Sequence, residues 1–368
     1  TAGESHGPCL IAILEGLPAG VPIDPAALQR EMRRRQLGYG RGPRMQFETD
    51  TIELVGGARR GKTLGSPVAL SIKNKDASID RLPAVTQPRP GHADLTGAIK
   101  YDHRDIRNVL ERASARETAA RVAVGAVCKQ LLSALGIELA SHVVALGSVR
   151  AKPTAATVAR ARKVDATPLR CLDATATKRM VREIDACVKA GDTLGGIFEV
   201  LVEGVPLGLG SHVHYDRRLD AILGRAVLSI HAVKAVEIGD GVLAASLRGS
   251  KVQDEIFYSK AKGFHRSQNR AGGFEGGMTT GQPIIVRGFL KPLSTLRKPL
   301  RSVEINTKRT VVATVERSDV TTVPAAGVIG EAMVAFELAR AILEKFGGDS
   351  LRELRRNWQG TQRQRGAF

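Results

Sequence analysis

Aromatic side chains are scarce in this sequence, 4% of 368 residues. So few rings leave little on which single-stranded nucleic acid could stack, and no zinc-finger spacing or aromatic RNA-binding motif accompanies them. Cysteine is scarcer still: Cys9, Cys128, Cys171 and Cys187 stand apart with no C-x-x-C pair. That pattern reads as small apolar thiols in a reduced compartment rather than a disulfide framework or a zinc site. No apolar run is long enough to span a membrane, because a charged residue interrupts every candidate. Acidic residues are in short supply too, 37 against 55 Lys and Arg, which gives a formal net charge of +18. An excess of that size calls for an anionic partner: nucleic acid, an acidic membrane surface or a highly charged small molecule. The cations are spread along the chain instead of gathered in a tail, which favours a basic pocket plus a solvated surface.

Glycine, by contrast, is abundant, 39 residues in clusters such as "TAGESHG", "GYGRGPR", "NRAGGFEGGMTTGQ" and "VPAAGVIGEA". Such loops let backbone approach a ligand closely or turn with positive φ. Between them run strand-like segments, "CLIAILEG", "TIELVGG", "PVALSI", "IFEVLVEG" and "PIIVRGFL", several alternating with period two. Helical patterns occur at "PAALQREMRRRQ", at 115–135, at "TKRMVREIDACVKAG", around "DRRLDAILGRAVLSI" and at "GEAMVAFELARAILEKFGG". The short strand pairs read as hairpins rather than parallel crossovers, so the expected class is α+β with antiparallel sheets packed on helices. "RKVDATPLR" reads as an exposed linker, and the tail 355–368 as loosely held.

"GGARRGKT", residues 56–63, satisfies the Walker A pattern. A phosphate loop needs a helix after it, but the next segment, "LGSPVALSI", reads as a return strand. A basic hairpin turn is therefore expected, although a P-loop NTPase and a nucleic-acid-binding protein stand as rival readings. At "LERASARETAARVA", Ser114 and Glu117 have capping-box spacing. Arg112 and Arg116 nevertheless flank the helix start, where the dipole is already positive. An anion bound there would reconcile the two. His6 in "GESHG" and His92 in "PRPGHAD" sit in Gly/Pro-rich loops close to arginines, a setting suited to proton transfer. Arg35, Arg41 and Arg44 surround a glycine-flexed loop, and arginine forks suit carboxylate and phosphate. "KPLST", Lys291 to Thr295, offers a cation and two hydroxyls. Asp319 follows Arg317 by two, which would place both on one side of an extended segment. His212 and His214 read as surface residues.

In order along the chain, "GESHG", "RRRQLGYGRGPRM", "PRPGHAD", "ERASARETAARVA", "AVEIGDG", "NRAGGFEGGMTTGQP", "KPLST" and "RSDVTTVPAAG" resemble the chorismate synthase family over essentially the whole length. The resemblance implies one domain over 1–368, a β-α-β sandwich with a helical layer between two antiparallel sheets, and a cytoplasmic homotetramer with no nucleic-acid or membrane partner. It implies anti-1,4-elimination of phosphate from 5-enolpyruvylshikimate 3-phosphate to give chorismate, a lyase reaction of the shikimate pathway. Reduced FMN would be required without net redox change and no metal. Its reducing equivalents would come from NADPH through a separate reductase, since the chain lacks large insertions. By the same resemblance His6 protonates the leaving phosphate, His92 protonates the reduced flavin, and Asp319 relays the substrate proton. Arg35, Arg41, Arg44, Arg116 and Arg317 would clamp the substrate anions. Arg112, Ala113, Ser114, His231, Ala232, Gly276, Lys291, Pro292, Leu293, Ser294, Thr295 and Arg317 would hold the flavin. The chain departs from the family pattern at His231, where Gln or Asn is expected, and at Ala235, where Gly is usual.

Overall fold

The computed structural model describes residues 1–42, 49–316 and 319–368. Three strands, β1 (Cys9–Leu14), β2 (Ile52–Gly56) and β3 (Val68–Lys73), form an antiparallel sheet in the order β1-β3-β2. Five more, β4 (Glu138–Leu146), β5 (Val149–Arg150), β6 (Gly196–Glu203), β7 (Val233–Ile238) and β8 (Ile284–Leu290), form a second in the order β5-β4-β6-β8-β7. Every pairing in it is antiparallel too. β3 alternates buried and half-buried positions, as a strand with one core-facing side must. The Walker-like segment folds as expected into a hairpin, Ala58–Arg59 against Lys62–Thr63, that leads into β3 with no helix after it.

The helices are α1 (Pro25–Gln36), α2 (Asp94–Tyr101), α3 (Arg107–Ala113), α4 (Thr118–Ser133), α5 (Ala174–Ala190), α6 (Leu219–Leu228), α7 (Val323–Phe346) and α8 (Leu351–Gly366). α1 starts where its sequence says, with Asp24 accepting from the Ala26 amide at 2.9 Å and Pro25 in the first turn. α4 packs on β1 and β3, α7 packs on β4 and β6, and the two helices pack on each other. Both are buried on almost every side, which is why Ala, Val, Leu and Ile ring them. Their backbones come close because Gly125 carries no side chain: a Cβ there would lie 2.3 Å from that of Ala332. No helix among the described residues is long and apolar enough to cross a membrane.

Charge crosses the helical layer at one point. Glu331 of α7 is fully buried and accepts from Arg34 through both oxygens at 2.8 Å, from Ser141 at 2.6 Å, and from Lys129 and Arg170. Burial alone would raise its carboxyl, but Arg34, Lys129 and Arg170 hold it well below the usual range.

Three local expectations are corrected. Residues 162–170 are exposed at Arg162, Lys163, Ala166 and Pro168, but the segment ends inside: Leu169 is fully buried and Arg170 is 3% exposed, drawn in by Glu331 and Asp165. The tail is helical from Leu351, docked by buried Leu351 and Leu354 and by Trp358 against Phe346 at 4.9 Å between ring centres. The capping box at Ser114 does not form. Ser114 Oγ accepts from the Arg116 amide at 3.3 Å and starts a short 3-10 turn, while the Glu117 side chain turns to Arg121. β4 was not legible as a strand, because its central "ASHVV" shows no alternation once both faces are covered.

Candidate active site

A cavity of about 530 Å³ opens where the loop after α1, the turn between α3 and α4, and the N-terminal turn of α7 converge. Most of the residues singled out in the sequence line it: His6, Arg35, Arg41, His92, Ala113, Ser114, Arg116, His231, Ala232, Lys291 to Thr295, and Asp319. Arg112 does not; its guanidinium donates to the Gly3 and Thr1 carbonyls at 3.0 and 3.2 Å and ties down the N-terminal segment. Gly276 lies apart from the cavity in a tight hairpin near His212. Arg44 and Arg317 fall outside the described residues.

Each histidine is seated on a buried carboxylate. His6 Nδ1 lies 2.9 and 3.1 Å from the two Glu111 oxygens, and its backbone amide donates to the same group at 2.9 Å. Arg107 donates to Glu111 from the other side at 3.1 Å. Burial pushes Glu111 up, but the hydrogen bond and charge of His6 and the bond from Arg107 bring it below the usual carboxylate range. His92 Nδ1 is 2.5 Å from Asp94 Oδ1, and Arg89 grips both Asp94 oxygens at 2.8 and 3.1 Å. Burial opposes ionisation of Asp94 also, yet His92 and Arg89 hold it far below its ordinary value.

The loop carrying His92 is pinned to the "KPLST" turn. Gly91, at φ +78°, exposes its carbonyl to Lys291 Nζ at 2.5 Å and Ser294 Oγ at 2.7 Å. A Cβ there would crowd both donors at 3.1 Å, so the glycine is required. Thr295 Oγ1 accepts from Arg89 at 3.0 Å, which joins both loops to the Asp94 pair.

Arginines line the same cavity. Arg35 donates to Thr118 Oγ1 at 3.0 and 3.1 Å, to the Ala115 carbonyl at 3.0 Å and to Asp50 at 3.2 Å. Arg116 grips the other Asp50 oxygen and donates to Asn74 at 2.9 Å. Arg41 pairs with Asp319 at 3.0 Å, and Asp319 also accepts from the Gly42 amide. Burial first, then the Arg116 and Arg41 charges, draw Arg35 down to about 10 despite Asp50. Burial and its cationic neighbours together disfavour the charge on Arg35. A bound anion would restore the balance.

His231 is half-buried, with Nδ1 making no hydrogen bond and its closest ionic neighbour, Glu117 Oε1, at 3.4 Å. Burial, then Arg121, His92 and Arg112, lowers its pKa against the pull of Glu117. Glu111, Asp94 and Asp50 were missed in the sequence. Asp94 had a signal, two residues after His92 in one motif; Glu111 had only its i,i+4 spacing from Arg107, and nothing local tied it to His6, 105 residues away, or Asp50 to Arg116, 66 residues away.

The fold and this cavity describe an α+β protein built to gather histidines and arginines round a small anion. Comparison with known proteins makes the class specific. The family model for chorismate synthase matches residues 1–343. The chain is 56% identical to the chorismate synthase of Symbiobacterium thermophilum over 98% of its own length and 97% of the relative's. It is 53% identical to that of Bacillus cytotoxicus, covering 97% and 96%. A solved chorismate synthase crystal structure superposes with a TM-score of 0.83 at 42% identity, covering 100% of this chain and 97% of the other. The chain belongs to the chorismate synthase family.

Proposed function

We propose that this chain eliminates phosphate from 5-enolpyruvylshikimate 3-phosphate to give chorismate, as a lyase of the shikimate pathway. One observation carries the reading: two carboxylate-seated histidines and the arginines Arg35, Arg41 and Arg116 line one cavity. The substrate bears two carboxylates and a phosphate, charge that those arginines attract. Arg35, Arg41 and Arg116, with Arg44 and Arg317, are the proposed anion clamps. His6 offers a proton to the departing phosphate oxygen, so charge does not build up on the leaving group. Asp319, held by Arg41, is the proposed relay for the proton taken from the substrate. His92 is oriented by Asp94 with Nε2 left for proton exchange.

The residues fit a flavin. His231 Nδ1 is a buried polar atom without a hydrogen bond, and Ala113, Ser114, Ala232 and the Lys291–Thr295 turn line the same cavity. These residues, with Arg317, would hold FMN; Arg112 and Gly276, which stand outside the cavity, would not. When bound and reduced, FMN would supply transient electron density to the reacting system. The chain would act as a single functional unit over 1–368, a β-α-β sandwich supported by the packing of α4 and α7 on their sheets, and as a cytoplasmic homotetramer. NADPH would act through a separate reductase.

Anaerobic mixing with chemically reduced FMN and 5-enolpyruvylshikimate 3-phosphate should release phosphate and form chorismate together, and oxidised FMN should give neither. His6→Ala and His92→Ala should each slow turnover by about 10²-fold or more. Near-normal turnover in either variant removes that histidine's role.

A further inference from the structure

His6 and His92 come from segments with no sequence similarity, yet each is built into the same device. Nδ1 meets a buried carboxylate, and an arginine also bonds that carboxylate: Arg107–Glu111–His6 and Arg89–Asp94–His92, where Arg89 reaches His92 Nδ1 as well at 3.1 Å. Glu111 side-chain atoms are wholly buried, and the Ser5 amide donates to the Glu111 carbonyl at 2.9 Å, so side chain and backbone fix the loop together. An ionised carboxylate accepts only, so the nitrogen facing it must carry hydrogen. That leaves Nε2 of His6 as the exchanging atom, with Asp76 the acidic group on that side at 3.9 Å.

We infer that Glu111 is a positioning residue of the reaction: it holds the Nδ1–H of His6, so that the charged imidazolium delivers its Nε2 proton to the departing phosphate and is left as the Nδ1–H tautomer. The inference rests on the proposed role of His6. As the C–O bond breaks, its electron pair leaves with the phosphate oxygen, the proton on Nε2 moves to that oxygen, and the neutral ring keeps its Nδ1–H on Glu111. Arg107 and the His6 backbone amide both donate to Glu111, so the carboxylate orients the ring through its Nδ1–H without taking the proton. Arg107 also reaches Glu316 at 3.6 Å, a residue of the cavity wall, so Arg107 itself is anchored beside the site.

Glu111→Gln keeps the shape and removes the charge, while its amide can donate to Nδ1 and admit the other tautomer. The expected result is a fall in kcat of about 10²-fold with KM within about threefold, since substrate contacts are untouched. A kcat within about threefold of wild type overturns the inference. ¹⁵N NMR of the ring, assigned by loss of its signals in His6→Ala, gives a test that needs no altered Glu111. A neutral His6 ring protonated on Nδ1 in the wild-type chain supports the inference, and one protonated on Nε2 overturns it even if Glu111→Gln fails to fold. Failure of the underlying reading looks different: His6→Ala would then turn over normally whatever Glu111 does.

Discussion

Arg34 and Arg35 are consecutive residues of α1, about 100° apart round the helix, and they enter two buried charge clusters of opposite character. Arg34 meets Glu331, Glu31 and Asp165, alongside Lys129 and Arg170: three cations against three carboxylates. Burial works against its charge, but those carboxylates more than reverse it, and Arg34 is raised well above its ordinary value. Arg35 shares Asp50 with Arg116, and burial first, then the Arg116 and Arg41 charges, draw it down to about 10. A cluster that satisfies its own charges holds a fold together. A cluster with two arginines on one carboxylate, one of them disfavoured as it stands, suits the anion proposed above.

The same substitution at the two positions should therefore give opposite phenotypes. Arg34→Met leaves Glu331 buried without its bidentate partner and should cost about 3–5 kcal/mol of stability. Chemical denaturation reads this, while substrate affinity of the folded fraction stays near wild type. Arg35→Met leaves Asp50 still paired with Arg116, so its stability loss should be clearly smaller. Its substrate affinity should instead fall about 10- to 100-fold, the worth of a charge-assisted hydrogen bond. Equal losses of stability in the two variants would erase the distinction between the clusters.

A pH series sharpens the comparison. Arg35 stands at about 10 in the folded chain, below its ordinary value in the unfolded one, so the folded state releases this proton first. This group therefore adds stability as pH rises above about 10. Anion binding needs the charged form, so affinity for substrate should drop about fourfold between pH 8 and 10.5 through Arg35 alone. Titration calorimetry on wild type and Arg35→Met isolates that component, which the variant should lack. His231 gives the smallest effect. Its folded value is lowered, so the unfolded chain binds the proton more readily and stability is lost as pH falls from about 6.5 to the folded midpoint. His231→Gln should flatten that part of the profile in thermal melts between pH 7.5 and 5. An unchanged slope would mean that the imidazole does not titrate differently on folding.

Much of the fold was legible because periodicity reports burial directly. β1, β2, β3, β6 and β8 and the five long helical patterns stand where alternation or a 3.6-residue repeat placed them. β4 escaped, and so did the first turns of α7, because a segment covered on every side has no polar face to mark its period. In the site, the glycine-framed motifs named both histidines and their arginines. The seats beneath them were invisible: Glu111 sits in a helical run beside Arg112 and nothing local says which it serves. The two arginines at the start of α4 show the same gap. The sequence suggested that both face an anion at the helix start, whereas Arg116 is buried on Asp50 and Arg112 secures the N-terminal segment.

The sequence by itself determined the antiparallel α+β character, the failure of the Walker-like turn to become a phosphate loop, and the set of motifs that mark the family. Each of these depends on neighbours in the chain: alternation, turn residues, and a strand where a helix would be needed. Only the tertiary structure decided which carboxylates each arginine meets, and which nitrogen of His6 meets Glu111. Those outcomes depend on charges brought together from distant segments into a low-dielectric interior, where a carboxylate a few ångströms away outweighs any preference written along the chain.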